Sequence, residues 1–182
     1  MEEDEMIEAC RQGDLTAYRR VYERYERPLL RTACRMLRLQ EDAEDAVQET
    51  FLKLQRGING FRRGARFSTY LFRILINTCY DVLRRRNRSG FEAADPELLP
   101  VLSSNEAELS IRQAVEALPP QMKASFILFA VEEFTQEEVA RILDISVGSV
   151  KVNVHRARRK LRDWLAVSPG GGKHELRKIR RL

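Results

Sequence analysis

The distribution of glycine and proline is the feature that most constrains what this chain can fold into. Most of its 9 Gly and 6 Pro cluster at a few breaks, in the ranges 57–64, 89–100, 119–120 and 169–172. Between these breaks, apolar residues recur at steps of three and four, and the alternation typical of strands is absent. The pattern predicts an all-α protein.

One of the breaks has the composition of an interdomain linker. The stretch SGFEAADPELLPVLSSNEAE contains two prolines, several acids and serines, and no sustained apolar period. Such a segment cannot pack one continuous helical face. We therefore expect two small helical domains joined by a flexible linker. The predicted boundaries are 1–88 for the N-terminal domain, 89–104 for the linker, 105–166 for the C-terminal domain and 167–182 for a basic, disordered tail.

The C-terminal domain carries a recognisable DNA-binding pattern. Thr135 and Glu138 have the spacing of a capping box, which predicts a helix start. After a tight turn at 144–146, Ser146 is a suitable N-cap for a second helix. The apolar stripe of that second helix consists of Val150, Val154, Ala157, Leu161 and Leu165. A short helix, a tight turn and a longer basic helix predict a helix-turn-helix, whose second helix enters the major groove.

The side of this helix opposite the apolar stripe carries side chains suited to DNA. Arg can bond two acceptors of guanine, Asn suits adenine, and an exposed Val can contact the methyl group of thymine. The base-facing candidates are Val152, His155, Arg156 and Arg159, flanked by Lys151 and Asn153. The candidates for phosphate contacts are Arg158, Lys160 and Arg162. The open alternative is a helical hairpin with a solvated basic side.

The charge distribution agrees with a nucleic-acid partner. The net charge is only +5, but the range 61–88 holds eight Arg and one Asp, and the range 145–162 holds six Lys or Arg and no acid. Between them, residues 89–117 carry six acids and one Arg. Two basic islands separated by an acidic bridge suggest two nucleic-acid contacts on one chain. Solvated helix faces are the alternative explanation.

Other classes of protein fit the sequence poorly. No apolar run approaches the roughly 18 residues of a membrane span, and the acidic start MEEDEMIE does not resemble a signal peptide, so we expect a cytoplasmic protein without membrane insertion. Cys10, Cys34 and Cys79 lie far apart and are expected to be core-filling thiols. No metal-binding carboxylate cluster, nucleophile constellation or phosphate loop is visible, so neither an enzyme nor a cofactor is expected.

The range 41–56 shows two stripes at helical spacing. The core stripe consists of Ala43, Ala46, Val47, Phe51 and Leu54, and the second stripe consists of Asp45, Gln48, Glu49 and Leu52. An acidic face with an exposed Leu suits a protein partner that has basic residues around an apolar spot. Solvation of this face is the alternative.

The range 67–83 contains eleven apolar or aromatic residues among seventeen, more than one buried stripe requires. This helix is therefore either central in its domain or uses a second face for a contact. Tyr70, Phe72 and Tyr80, together with Arg73 and Asn77, would suit bases stacked or captured outside a duplex. Periodicity alone favours a buried core. The preceding NGFRRGARF would suit a loop that closes over a single strand.

Three stretches, in order, resemble a bacterial RNA polymerase sigma factor of the sigma-70 family, extracytoplasmic-function (ECF, group 4) class. They are DAEDAVQETFLKL, FSTYLFRILINTCYDVLRRR and ALPPQMKASFILFAVEEFTQEEVARILDISVGSVKVNVHRARRKL. The resemblance runs over about residues 14–165. It implies a region 2 and a region 4 joined by a flexible linker. One departure is Asp144, where the family usually has Gly; Asp tolerates a left-handed backbone better than most residues.

The resemblance also implies a function and its partners. It implies a promoter-specificity subunit that binds core RNA polymerase at the β′ clamp and β flap, and that recognises the −10 and −35 elements of promoter DNA. Members of the class are often held inactive by an anti-sigma factor, so such a partner is implied too. The remaining alternative is a free-standing helix-turn-helix regulator, which polymerase-dependent DNA binding would distinguish.

Roles for particular residues follow from the matching positions. The clamp contact is implied for Asp45, Gln48, Glu49 and Leu52. The −10 element is implied to contact Phe61, Arg62, Arg63, Arg66, Phe67, Arg73, Asn77, Arg84 and Arg85. The −35 element is implied to contact Lys151, Val152, Asn153, His155, Arg156, Arg158 and Arg159.

Overall fold

The computed structural model describes residues 3–61, 64, 66–88 and 112–167, with side chains as far as Trp164. The chain divides into two compact units, Met1–Glu92 and Ala93–Leu182. Every regular element in the described ranges is helical, which confirms the all-α prediction. The predicted linker and residues 168–182 of the predicted tail lie outside the described residues.

The described part of the N-terminal unit is built from four α-helices and one 3-10 turn. The helices are α1 (Glu3–Arg11), α2 (Leu15–Met36), α3 (Gln40–Gly57) and α4 (Phe67–Arg88), and the 3-10 turn (Ile58–Gly60) follows α3 directly. The start of α2 is capped by Asp14, whose Oδ1 accepts a hydrogen bond from the Thr16 amide at 2.7 Å.

The core of the N-terminal unit lies between α2, α3 and α4. Leu29, Leu54, Leu71 and Leu75 are fully buried there. Polar groups in the core are satisfied locally: the buried Thr50 hydroxyl donates to the Ala46 carbonyl at 2.7 Å. Among the cysteines, Cys10 and Cys79 are buried free thiols, as expected, and Cys34 is half-buried.

In the C-terminal unit, residues 112–116 are helical and are followed by α5 (Pro120–Ala130), α6 (Gln136–Leu143) and α7 (Val147–Val167). A core cluster joins the first helical segment, α5 and α7. Its buried members are Ala114, Leu118, Phe126, Ala130, Ala157 and Leu161. The predicted α7 stripe is confirmed for its described side chains, because Val150, Val154, Ala157 and Leu161 are at most 5% exposed.

Both predicted helix starts of the helix-turn-helix are present. The Thr135 hydroxyl accepts from the Glu138 amide at 3.2 Å, and the Glu138 carboxylate accepts from the Thr135 amide at 2.9 Å, which completes the capping box. Asp144 ends α6 in the left-handed region (φ 54°, ψ 49°), the conformation expected of it. Ser146 then caps α7 by accepting from the Ser149 amide at 3.1 Å.

Two further properties bear on function. No helix in the described ranges is long and apolar enough to cross a membrane. In the same ranges, no three His, Cys, Asp or Glu side chains are grouped so that they could hold a metal ion.

Candidate nucleic-acid and polymerase interfaces

The exposed side of α7 retains most of the residues predicted to face DNA. Val152 is 46% exposed although it is apolar, and His155 and Arg156 beside it are exposed. Lys151 and Arg159 extend the same exposed surface along the helix. We call these five residues the reading face. It presents three cations, an imidazole and an apolar side chain, which are groups that contact base edges in a major groove.

Asn153 does not belong to the reading face. It is half-buried, and its Nδ2 donates to the Ser125 Oγ of α5 at 3.1 Å. Ser125 is fully buried and donates to the Gln121 carbonyl at 2.8 Å. The Asn153 amide thus ties α7 to α5, because a buried hydroxyl needs its partners inside the protein. This placement corrects the sequence-based expectation that the side chain contacts DNA.

Arg158 is also placed differently from the expectation of a simple phosphate contact. It is half-buried, with its guanidinium carbon 5.7 Å from the ring centroid of Phe129, and its Nε is buried without a hydrogen-bond partner among the described residues. A cation over an aromatic face stabilises the contact between two helices. Arg158 therefore contributes to the packing of α7 on α5, whatever else it contacts.

In the N-terminal unit, the four residues predicted to contact a protein line one groove between α3 and α4. The groove has a volume of about 710 Å³, and its lining includes Asp45, Gln48, Glu49 and Leu52. The Leu52 side chain is 46% exposed there, and Glu49 is half-buried. An apolar side chain within a ring of acidic and amide groups can bind a partner that presents basic and apolar side chains together.

The other wall of this groove is basic and was not predicted. Arg85 and Arg86 of α4 line it together with Lys53 of α3. Arg86 forms an ion pair with Asp42, and the Lys53 Nζ lies 3.7 Å from Asp81. These pairs join residues that are far apart in the sequence, so no local pattern signalled them. They fix α4 against α3 and partly neutralise the groove's acidic wall.

The outer side of α4 carries a row of exposed polar residues. Arg66, just before the helix, is followed at helical spacing by Arg73, Asn77 and Arg84, all of which are exposed. Arg84 also forms an ion pair with Asp81 one turn before it. We call these four residues the α4 row. Three guanidinium groups and an amide along one helix can contact successive phosphates and base edges of a nucleic-acid strand.

Two aromatic residues predicted to contact DNA are core residues instead. Phe61 is 5% exposed and Phe67 is 1% exposed, and their rings meet edge to face at a centroid distance of 5.5 Å. The physical reason is that both side chains fill the space beside Tyr25 and Tyr70, so neither presents a face to solvent. The expectation that they contact the −10 element is therefore wrong for this structure. Arg62 and Arg63 lie outside the described residues.

The remaining α4 aromatics also favour the buried-core interpretation over base stacking. Phe72 is 4% exposed, and the half-buried Tyr70 donates its hydroxyl to the Gly57 carbonyl at 2.9 Å. Burial raises the pKa of the Tyr80 phenol to about 12. Of the side chains considered in this helix, Arg73 and Asn77 are the exposed ones.

The fold and these surfaces define a helical, two-unit protein with a helix-turn-helix and a groove suited to a protein partner. Comparison with known families is specific. Residues 21–89 match Sigma-70 region 2, and residues 108–161 match Sigma-70, region 4. The chain belongs to the sigma-70 family, and its relatives place it in the ECF class. It is a sigma factor that directs transcription initiation, and not an enzyme.

The relatives are similar over most of this chain. The ECF RNA polymerase sigma factor SigM of Mycobacterium tuberculosis is 32% identical over 160 residues, which cover 86% of this chain and 81% of SigM. SigW of Bacillus subtilis is 30% identical over 176 residues, 87% of this chain and 94% of SigW. SigE of Mycolicibacterium smegmatis is 34% identical over 146 residues, but the match spans only 56% of SigE.

Solved structures support the fold. The chain matches the sigma factor RpoE from Bartonella quintana, in complex with the anti-sigma factor NepR, with a TM-score of 0.73 over 85% of this chain and 99% of the other. It matches CnrH, in complex with the cytosolic domain of CnrY, with a TM-score of 0.71 over 90% of this chain and 97% of the other. Both are 24% identical to this chain.

Proposed function

We propose that this sigma factor binds core RNA polymerase through the α3/α4 groove and reads two promoter elements with its two units. In this proposal residues 1–88 form region 2 and contact the −10 element, and residues 105–166 form region 4 and contact the −35 element. Residues 89–104 link them, and residues 167–182 form a basic tail. The observation that carries the proposal is the presence of one exposed polar row in each unit, on a helix that is otherwise buried.

The α4 row supports the −10 assignment. Arg66, Arg73, Asn77 and Arg84 project from one side of a helix whose other sides are buried, so their polar groups have no structural role that would explain the row. A single strand offers phosphates and unpaired base edges at spacings that such a row can follow. Arg85 lines the groove on another side of α4 and is assigned to it here.

The reading face supports the −35 assignment. Its residues lie on the second helix of a helix-turn-helix, which is the helix that enters the major groove in this motif. Asn153 and Arg158 are left out of the base-reading set, because they pack α7 against α5.

Polymerase docking is assigned to Asp45, Gln48, Glu49 and Leu52, with the β′ clamp as the partner that the family implies. A second contact, between region 4 and the β flap, is part of the same proposal. An anti-sigma factor is also proposed as a partner, because RpoE and CnrH are both described in complexes with regulatory proteins. Work on the cytoplasmic polymerase places the protein in the cytoplasm.

The test of the whole proposal is dependence on polymerase. Each basic surface is small and the two lie in separate units, so only a scaffold that fixes both will give the gain expected from linked sites. The free protein should bind promoter duplex weakly in a mobility-shift assay, and the holoenzyme should bind it tightly and support run-off transcription. Tight, sequence-specific binding by the free protein would instead support an ordinary helix-turn-helix regulator.

The groove is tested with a matched pair of double variants. Glu49→Lys with Leu52→Ala inverts one charge and removes one apolar side chain within the groove. Glu44→Lys with Leu15→Ala makes the same chemical changes at exposed positions that do not line the groove. The first variant should compete poorly for core polymerase, and the second should compete as wild type does. Equal competition by both variants would remove the groove assignment.

A further inference from the structure

The first helix of the chain makes a contact that sequence patterns did not reveal. Helix α1 precedes the match to Sigma-70 region 2, which begins at residue 21. Its last residue, Arg11, nevertheless donates a hydrogen bond from Nη2 to the backbone carbonyl of Phe61, fifty positions away. Phe61 is the last described residue before the basic segment that leads to α4.

The Arg11 contact has the features of a built interaction. The side chain is only 21% exposed, and its Nη1 forms an ion pair with Glu8 Oε2 at 3.1 Å. The guanidinium therefore bridges a carboxylate of its own helix and a main-chain carbonyl of a distant turn. Charge-assisted hydrogen bonds of this kind are stronger than neutral ones and fix a direction as well as a distance. A lysine ammonium lacks the planar fork that serves two acceptors on separate nitrogens.

Phe61 forms one side of a closed aromatic neck. Its ring lies 5.5 Å from that of Phe67, the first residue of α4, and 5.2 Å from that of Tyr70. The Tyr70 hydroxyl in turn donates to the Gly57 carbonyl at 2.9 Å. The chain thus leaves the neck at Phe61 and re-enters it at Phe67 within one packed cluster. Whatever fixes the Phe61 peptide also fixes the cluster from which α4 begins.

We propose that Arg11 is a positioning residue for recognition of the −10 element. By holding the Phe61 carbonyl, it sets the orientation of the aromatic neck and hence of the first turns of α4, where Arg66 and Arg73 lie. Arg11 itself contacts no DNA in this proposal. The inference rests on the proposed −10 role of the α4 row, and it adds α1 to the parts of the protein on which that role depends. Small displacements of a binding residue have large effects on recognition, because hydrogen bonds require close geometry.

The experiment uses the holoenzyme and a promoter library, because it requires no knowledge of the preferred bases. Fork-junction DNA molecules are randomised at the non-template −10 positions and at the −35 positions, captured by holoenzyme, and sequenced before and after capture. Enrichment at the −35 positions is the internal control, since a general loss of folding or of polymerase binding lowers both enrichments. The variants are Arg11→Met, Arg11→Lys and Arg66→Ala. The matched control is Arg19→Met, which removes an exposed ion pair with Glu23 on α2.

Arg11→Met is expected to lower the −10 enrichment by about tenfold and to leave the −35 enrichment and the yield of holoenzyme unchanged. Arg11→Lys should lie between Arg11→Met and the wild type, and Arg19→Met should match the wild type. If Arg11→Met loses both enrichments together, or keeps the wild-type −10 enrichment, the proposal is wrong. Should Arg11→Met fail to fold, Arg11→Lys decides, and a −10 enrichment equal to that of the wild type overturns the proposal.

The same experiment separates this inference from the proposed function. If Arg66→Ala loses the −10 enrichment while Arg11→Met keeps it, the α4 row reads DNA and Arg11 has no positioning role. If the wild type enriches no −10 bases, or Arg66→Ala leaves the −10 enrichment unchanged, the −10 role proposed for the α4 row is wrong, and the role of Arg11 is withdrawn with it.

Discussion

Substitution of Arg156 by alanine isolates base reading from stability. Arg156 is exposed on the reading face and forms no hydrogen bond or ion pair with the described residues. Its removal therefore leaves no buried group without a partner. Arginine and alanine also differ in intrinsic helix propensity by only a few tenths of a kcal/mol. The fold should be unaffected, so the full effect of the substitution should appear in DNA binding.

The magnitude follows from the contact that an exposed arginine makes in a major groove. A guanidinium that bonds two acceptors of guanine contributes about 1–3 kcal/mol of discrimination against other bases. Since about 1.4 kcal/mol corresponds to a factor of ten, Arg156→Ala should lower the affinity for the preferred −35 sequence by roughly five- to 150-fold. Affinity for −35 sequences that lack the contacted base pair should change little.

The assay is holoenzyme binding to a promoter library at several salt concentrations. Lys160→Ala serves as the comparison, because Lys160 is exposed on the same helix and is a candidate for a phosphate contact. It should weaken binding similarly for all sequences and lower the slope of log affinity against log salt by about one. Equal, sequence-independent losses for both variants would mean that α7 only grips the DNA backbone, and the reading role would be refuted.

Three further predictions concern the C-terminal unit and the core, and the chain's only tryptophan, at position 164, reports the first two through its fluorescence. Arg158→Ala should lower the free energy of unfolding by about 1–2 kcal/mol, because it removes a stacked cation; an unchanged value would return Arg158 to a purely DNA-facing role. Thr135→Ala should cost about 1 kcal/mol through loss of the capping box, whereas Asp144→Gly should stabilise by about 0.5–1 kcal/mol, because glycine adopts φ 54° without strain. Burial raises the pKa of the Cys79 thiol to about 12, so a thiol-alkylating reagent at pH 8 should modify Cys34 first; equal native-state rates, measured by mass spectrometry, would contradict the buried placement.

Features that depend on neighbours in the sequence were predictable from it. The capping box at Thr135, the Ser146 cap and the left-handed Asp144 involve residues within one turn of each other. The apolar stripe of α7 repeats within a single helix, and the periodicity of a helix fixes which side is buried. The acidic stripe of α3 was predicted in the same way, and its residues do line one groove.

Features that depend on distant partners were not predictable. Asn153 lies at a position on α7 that suits a DNA contact, but its amide bonds a serine twenty-eight positions earlier. Arg158 and Phe61 likewise take their roles from Phe129 and Phe67, and no spacing rule joins such pairs across turns and helices. Chemical type alone therefore assigned to DNA side chains that tertiary packing had already engaged.

The division of labour on α7 has a consequence for how promoter preference can change. Asn153 and Arg158 hold the helix in its seat on α5, whereas Lys151, Val152, His155 and Arg156 are exposed. Substitutions at these four exposed positions leave the packing of the unit intact, because surface changes usually alter stability by less than about 0.5 kcal/mol. A duplicated copy of the gene can therefore drift to a new set of promoters without passing through unfolded intermediates, and a selection randomised at the same four positions would sample specificities rather than failures to fold.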